Sequence, residues 1–426
     1  MTVNIRYLLI KIALATLLIQ TFVVSNVIKG LVISYVCILL HFLKDSLHVF
    51  IDKKQINIFP TFLIFLFGFI SWQLLSQLFN VLYLPSFGSL PVWVMVSYEG
   101  TSVSLFRKSM FTQSAYLITC VIFFLYIYRY LTIFDESKKL IKIVRIGLIF
   151  FVAFGFYEVI GYALTGLNVD FISNRLVGAG WQYGLHQVLE LGGISFQRMK
   201  SLSGEPSMFA FSVIPFGILF YYLKDKFYII LLIAAIMTSS TTAVLGIVLF
   251  ILIEALFFKK MIRLMSIIFL VTIGLALIDF QILVAFYDQT INKFTLQNAS
   301  GLTRYFNFIT SVTLFSDANI FHMVFGHGFG YIRSTDGIST LLVNTGILGL
   351  ISYCSFFLYP LFKIKIDTEY RKGILVASIV SIVLVMASVP EFYYFHIWFF
   401  AALAWYEYYK DRNNKTAEIS KKPIPA

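Results

Sequence analysis

Charge is scarce in this chain. Only 13% of its 426 residues are Asp, Glu, Lys or Arg, while 59% are hydrophobic and mean hydropathy is +0.86. A soluble globular chain carries about 25% charged and about 45–50% apolar residues, so a single water-soluble core is excluded. Cysteine is nearly absent: Cys37, Cys120 and Cys354 lie in apolar segments, which argues for small hydrophobes and against a disulfide framework. The six histidines show no metal-ligand spacing, and no metal or other cofactor is expected. There is no Walker A sequence, which excludes ATP hydrolysis by that route. No Asp-x-Asp occurs, which removes the usual acidic site for a metal-bound nucleotide sugar. No internal repeat of transporter type stands out.

What remains is blocks of apolar sequence about as long as a hydrocarbon layer of about 30 Å requires. They predict an all-α, polytopic transmembrane helical bundle of about twelve spans: 7–24, 28–43, 57–79, 112–131, 143–165, 207–223, 227–239, 241–258, 264–285, 339–362, 373–389 and 394–409. The run from Tyr7 to Val24 lacks the small-x-small exit of a cleavable signal and reads as the first span. The formal charge of +12 follows from sidedness. With the N-terminus inside, about 24 of the 33 Lys and Arg fall on the inner side or in the tails, as the positive-inside rule requires. The clusters at Lys53, Lys138, Lys224, Lys259 and Lys363, and the basic tail 410–426, each follow an even number of spans. Both termini are therefore expected in the cytoplasm, in a bacterial-type cytoplasmic membrane, and the basic balance is no nucleic-acid patch. The spans 227–239 and 241–258 are short and meet at Thr238, Ser239, Ser240, Thr241 and Thr242. Such hydroxyls can satisfy backbone groups at the tip of a short hairpin; an ordinary tight turn is the other reading.

All long loops face outward: 80–111, 166–206 and 286–338. Loops of that length are usually functional or disordered, and these are too rich in aromatics and glycine for disorder. The second ends in Arg198, Lys200, Gly204, Glu205 and Pro206. Pro206 suits the first turn of a helix, and Glu205 sits where the helix dipole favours a carboxylate. Arg198 and Lys200 are cations on the side where topology does not call for them; a capped helix with incidental surface charges is the plainer reading. The third loop holds Arg304, then Gly326, His327, Gly328 and Gly330, then Asp336. The three glycines suit either a plain turn or a close approach to a ligand. His327 reads as a solvated loop histidine or a base. Gly346 and Gly349 suit helix packing. Glu158 and Asp279 are intramembrane acids, functional candidates by default or partners of an outer-loop Arg.

In order along the chain stand Arg-x(5)-Gly-Glu-Pro-Ser-x-x-Ala, from Arg198 to Ala210, and the hydroxyl-rich tip. Arg304, the Gly-x-Gly turn and a closing Gly-Ile-Leu-Gly-Leu helix follow. Over about 190–362 this order resembles the O-antigen polymerase and ligase superfamily. The ligase branch carries a His just before the closing helix, where this chain has Thr335. The resemblance therefore implies a polymerase of repeat units for O-antigen of lipopolysaccharide, capsule or exopolysaccharide. Such an enzyme is a glycosyltransferase that takes an undecaprenyl-pyrophosphate-linked oligosaccharide as donor among the membrane lipids. It implies a chain-length regulator and a flippase as partners. On this reading Arg198 and Arg304 stabilise the pyrophosphate, with Lys200 assisting. Glu205, Asp336 or His327 accepts the hydroxyl proton, and Pro206, Gly326, Gly328 and Gly330 shape the binding site. Three alternatives stand beside it: ligation of finished polymer, transport or flipping of the lipid-linked unit, and a structural role in an envelope complex.

Overall fold

The computed structural model describes residues 7–25, 30–48, 58–83, 105–177, 181–182, 187–191, 194–258, 295, 297 and 299–420. The expected span 264–285, with Asp279, lies outside the described residues, as do most of loop 80–111, the start of loop 286–338 and the last six residues of the tail.

The described residues are mostly helical, with a few short strands. Among the described residues five helices are long and apolar enough to cross a membrane: α3 (Phe59–Leu82), α4 (Lys108–Phe134), α5 (Ser137–Thr165), α11 (Gly337–Lys363) and α12 (Glu369–Ala387). The protein is thus a membrane-embedded helical protein. The other described helices are α1 (Leu8–Ala15), α2 (Ile33–His48), α6 (Pro206–Tyr222), α7 (Phe227–Met237), α8 (Thr241–Ile253), α9 (Ala299–Ser316), α10 (Ile320–Phe325) and α13 (Phe395–Ser420).

The central element is α6, which buries nearly every residue from Pro206 to Tyr222. A helix apolar all round belongs in the interior, and α6 lies among α7, α8 and α12. Beyond it α13 packs along α4, where the Phe123 and Phe395 rings stack at 4.3 Å.

The first expected span departs from the prediction. Helix α1 stops at Ala15, and the chain then runs irregularly to a bridge between Val23 and Val32. The break is stabilised by protein: the Gln20 and Thr21 amides donate to the Leu202 carbonyl at 2.8 and 3.0 Å, and both side chains are buried. Non-helical backbone is tolerated at membrane depth only where protein supplies such partners. Helices α7 and α8 form a hairpin rather than two full crossings, since the 11 residues of α7 extend only ~16 Å at 1.5 Å per residue.

The long loops have structure of their own. Within 166–206, β1 (Leu176–Val177) pairs antiparallel with β2 (Trp181–Gln182), and β3 (Val188–Leu191) with β4 (Ile194–Gln197). Loop 286–338 contains α9 and α10.

Candidate functional site

The N-terminus of α6 sets the site. Gly204 takes φ +94°, which only glycine adopts without strain, and turns the chain so that Glu205 stands extended as the cap with Pro206 in the first turn. Upstream, the Ser201 hydroxyl donates to the Phe151 carbonyl at 2.6 Å, and Leu202 accepts from Gln20 and Thr21. The segment from Arg198 to Glu205 is thereby sewn to α5 and to the break after α1.

Arg198 reaches across to the hairpin tip. Its Nε donates to the Thr238 carbonyl at 2.9 Å, Nη2 to the Ser239 carbonyl at 3.0 Å and Nη1 to Gln187 Oε1 at 3.1 Å. The tip completes its own bonding: Thr238 Oγ1 donates to the Ala235 carbonyl, Ser240 Oγ accepts from the Ala243 amide, and Thr242 bonds Ser388 at 2.6 Å. On α9, Arg304 Nη1 donates to the Ser388 carbonyl at 3.4 Å. Segments 198–205, 238–242, 304 and 388 therefore converge.

Their charges are coupled. Burial pulls Arg198 down to about 10, Glu205 opposes that fall, and the Arg304 charge adds to it. Burial also lowers Arg304, again against Glu205. Two partly desolvated guanidiniums thus lie within electrostatic reach of one carboxylate, a local surplus of positive charge suited to an anion. The structure places Arg198, Glu205 and Arg304 in one neighbourhood beside the hairpin tip.

Lys200 is placed otherwise. It is wholly buried, with Nζ 2.5 Å from Glu158 Oε1 and 3.0 Å from Asp170 Oδ2. Burial alone would raise the Asp170 carboxyl, but Lys200 and Ser173 hold it below its ordinary value. The expectation that Lys200 assists at a ligand is corrected: its ammonium is committed to two carboxylates that fasten the loop. Glu158 accordingly pairs with a lysine, not an arginine. Pro206 is buried at the start of α6, so it shapes the backbone and no binding surface.

Asp336 caps α11. Its carboxylate accepts from the Ser339 amide at 2.8 Å and from the hydroxyls of Ser339 and Ser334. A carboxylate so occupied is poorly placed to take a proton from a substrate, so the base assignment at Asp336 is corrected to a cap.

The Gly-x-Gly-x-Gly turn is packed against protein. Gly326, Gly328 and Gly330 have φ of +75°, +114° and +85°. A Cβ at Gly326 would lie 2.4 Å from the Asn344 carbonyl group, one at Gly328 2.4 Å from Met110 Cε, and one at Gly330 2.7 Å from Gln113 Cβ. These glycines serve close packing rather than ligand approach. A polar stripe on α3 holds the turn: Trp72 and Ser76 donate to the Phe325 carbonyl, and Gln77 and Asn80 to that of His327. Opposite it, Gly346 breaks α11 at φ +66° and lies against Val324 and Phe325.

His327 is sealed in the same place, 2% exposed, its ring stacked at 4.2 Å on His322. Asn80 Nδ2 is fixed by the His327 carbonyl, so Asn80 Oδ1 is the acceptor for both His322 Nε2 and His327 Nδ1, at 2.9 and 3.1 Å. Burial, then His322 and Arg107, push His327 down to about 3. A buried neutral imidazole is not the solvated loop histidine of one sequence reading, and its burial argues against a role as base.

Two groups escaped the sequence reading. Arg333 pairs with the fully buried Glu391 between α12 and α13, and Arg107 lies 4.2 Å over the Tyr331 ring. The signal for Glu391 was available: a lone acid after Pro390 between two apolar runs. Among the described residues no group of three or more His, Cys, Asp or Glu could hold a metal ion.

No protein-family model, no curated protein and no solved structure matches this chain.

Proposed function

We propose that the protein polymerises polyprenyl-pyrophosphate-linked oligosaccharide repeat units at the outer face of the cytoplasmic membrane. The observation that carries this reading is the convergence of Arg198 and Arg304 on the hairpin tip and Ser388, within electrostatic reach of Glu205 at the start of the buried helix α6. In this scheme the two guanidiniums pair with the pyrophosphate, which takes up negative charge as its bond to the sugar C1 breaks. The acceptor hydroxyl forms the new bond to C1 and its proton passes to Glu205. The lipid carrier leaves as its pyrophosphate. Neither ATP nor a nucleotide sugar is required.

The reading keeps both termini cytoplasmic, with the α7–α8 hairpin entering and returning on one side, which puts loops 166–206 and 286–338, and hence the arginines, outside. A chain-length regulator and a flippase act alongside it. Thr335 in place of the ligase histidine supports polymerisation over ligation.

The test is the surface-glycan ladder of cells lacking the gene, complemented with wild type, Arg198→Ala or Arg304→Ala. Collapse to one repeat unit in the deletion strain and in both variants is expected. Full-length polymer stranded on its carrier would make the protein a ligase. An unchanged ladder would reject the polymerase and leave transport or a structural role.

A further inference from the structure

Helix α9 is amphipathic in the reverse sense of a surface helix in water. Its inward stripe is polar: Asn307 and Ser311 are buried, and Arg304 reaches in to Ser388. Its outward stripe is apolar, with Leu302, Tyr305, Phe306, Phe308, Ile309 and Val312 each 37–45% exposed. Between Ala299 and Ser316 the one charged residue is Arg304, and it points inward. A helix beside water does the opposite, burying its apolar stripe and turning charge outward. A contiguous apolar patch of this kind marks a contact with protein or with membrane.

The place of α9 decides between the two. Thr335 Oγ1 donates to the Arg304 carbonyl at 3.3 Å and Ser334 Oγ to that of Asn307 at 3.4 Å. Both donors immediately precede α11, and Ser388, which accepts from Arg304, ends α12. Farther along, Leu314 and Phe315 pack on a cluster that includes Met110, in the first turn of α4, and Val343, in the second turn of α11. Helix α9 therefore lies across the ends of three helices long enough to span the bilayer. That is the depth at which hydrocarbon gives way to water, where amphipathic helices lie with one face among acyl chains. The apolar stripe also adjoins a lipid-facing surface. Helix α9 packs on α11, whose Ile338, Ile347, Leu348 and Ile351 are 42–55% exposed along a helix that crosses hydrocarbon.

We propose that α9 is seated at the boundary of acyl chains and headgroups, with its apolar stripe in contact with bilayer hydrocarbon. The helix then forms the wall between the membrane and the neighbourhood of Arg198, Glu205 and Arg304. Burial of one stripe in lipid holds Arg304, on the other, against Ser388. Part of a loop expected to face water thus becomes a membrane-contacting surface. The inference stands apart from the polymerase reading, since it names the solvent of a helix face and assigns no substrate.

The test is nitroxide accessibility in the full chain, held in phosphatidylcholine nanodiscs and carrying Cys37→Ala, Cys120→Ala and Cys354→Ala. Labels are placed singly through Leu302→Cys, Ile309→Cys and Val312→Cys, at side chains that are already exposed. Ile64→Cys on α3, at a position 76% exposed, gives the hydrocarbon reference. Lys139→Cys in the first turn of α5 gives the aqueous one. Collision rates with oxygen, which partitions into hydrocarbon, are compared with those of a water-soluble nickel chelate. Size exclusion and thermal unfolding confirm that each labelled protein folds.

Oxygen should dominate at all three α9 positions, in a ratio close to that at Ile64→Cys and severalfold above that at Lys139→Cys. Dominance of the nickel chelate at Leu302→Cys and Ile309→Cys would put the stripe in water and overturn the proposal. Low rates for both reagents would mean that protein covers the stripe, a second copy included, and would overturn it too. A second measurement needs no label. An exposed position in water accepts aspartate with little change in stability, whereas hydrocarbon resists a carboxylate. Ile309→Asp should lower the unfolding midpoint in nanodiscs, and an unchanged midpoint would also overturn the proposal. Neither readout involves a glycan, so failure here leaves the polymerase reading intact, and failure of that reading leaves α9 in the membrane.

Discussion

Lys200 and Glu158 form an ion pair from which solvent is wholly excluded, and a second carboxylate, Asp170, completes the ammonium's surroundings. Three buried charges so arranged depend on one another. Lys200→Met would leave two acids uncompensated, and breaking such a pair costs about 3–5 kcal/mol. We expect a large drop in the thermal unfolding midpoint of the purified protein, partly restored in Lys200→Met/Glu158→Gln. An unchanged midpoint in the single variant would mean the triad is not structural.

Asp336 separates capping from chemistry. Asparagine caps a helix about as well as aspartate, whereas alanine costs about 0.5–2 kcal/mol. Asp336→Asn should therefore keep both the midpoint and the glycan ladder, while Asp336→Ala lowers the midpoint. Loss of polymer in Asp336→Asn with an intact fold would return Asp336 to the list of bases.

His327 gives the protein an acid sensitivity with a defined sign. Folded, its imidazole stays neutral down to about 3; its ordinary value is 6.5. Between those values the unfolded chain binds more protons, so stability falls as pH drops below about 6.5 and keeps falling toward about 3. Above about 6.5 this group contributes no slope. Unfolding midpoints measured between about pH 7 and about pH 5 should decline in wild type and decline less in His327→Phe. Parallel curves for the two proteins would remove His327 as the source.

Gly326 and Gly68 provide a contrast between packing and open space. A methyl at Gly326 would strike the Asn344 backbone at φ +75°, while one at Gly68 meets nothing. Gly326→Ala should destabilise the protein strongly, by roughly the 1–3 kcal/mol of a strained backbone or more. Gly68→Ala should be neutral or slightly stabilising, since alanine favours helix. Equal midpoints for the two variants would contradict the packing described for the turn.

Sequence order carried the part of the site that depends on local grammar. Gly204, Glu205 and Pro206 announce the start of α6 because a positive φ, a cap and a first-turn proline are each tied to residue type. Arg198 was legible because a cation in a loop expected outside had no topological reason to be there, and Arg304 because it stands in the motif order of the resemblance. Lys200 was misread because its partners, Glu158 and Asp170, stand far from it in the chain, and nothing near Lys200 signals burial. The glycine turn was ambiguous for a related reason. A positive φ next to a ligand and a positive φ next to Met110 or Asn344 leave the same letter. The break after α1 was hidden in hydropathy, since Gln20 and Thr21 are tolerated there only through the remote Leu202 carbonyl.

The hairpin tip has a consequence for how such chains diverge. Arg198 grips Thr238 and Ser239 through their carbonyl oxygens, and every amino acid carries one. Substitutions at those two positions leave the grip intact, while substitutions at Arg198 do not. The tip is therefore free to drift in identity as long as its backbone path is kept. Across distant descendants, an arginine ahead of a glycine–acid–proline turn should outlast the hydroxyl residues it holds.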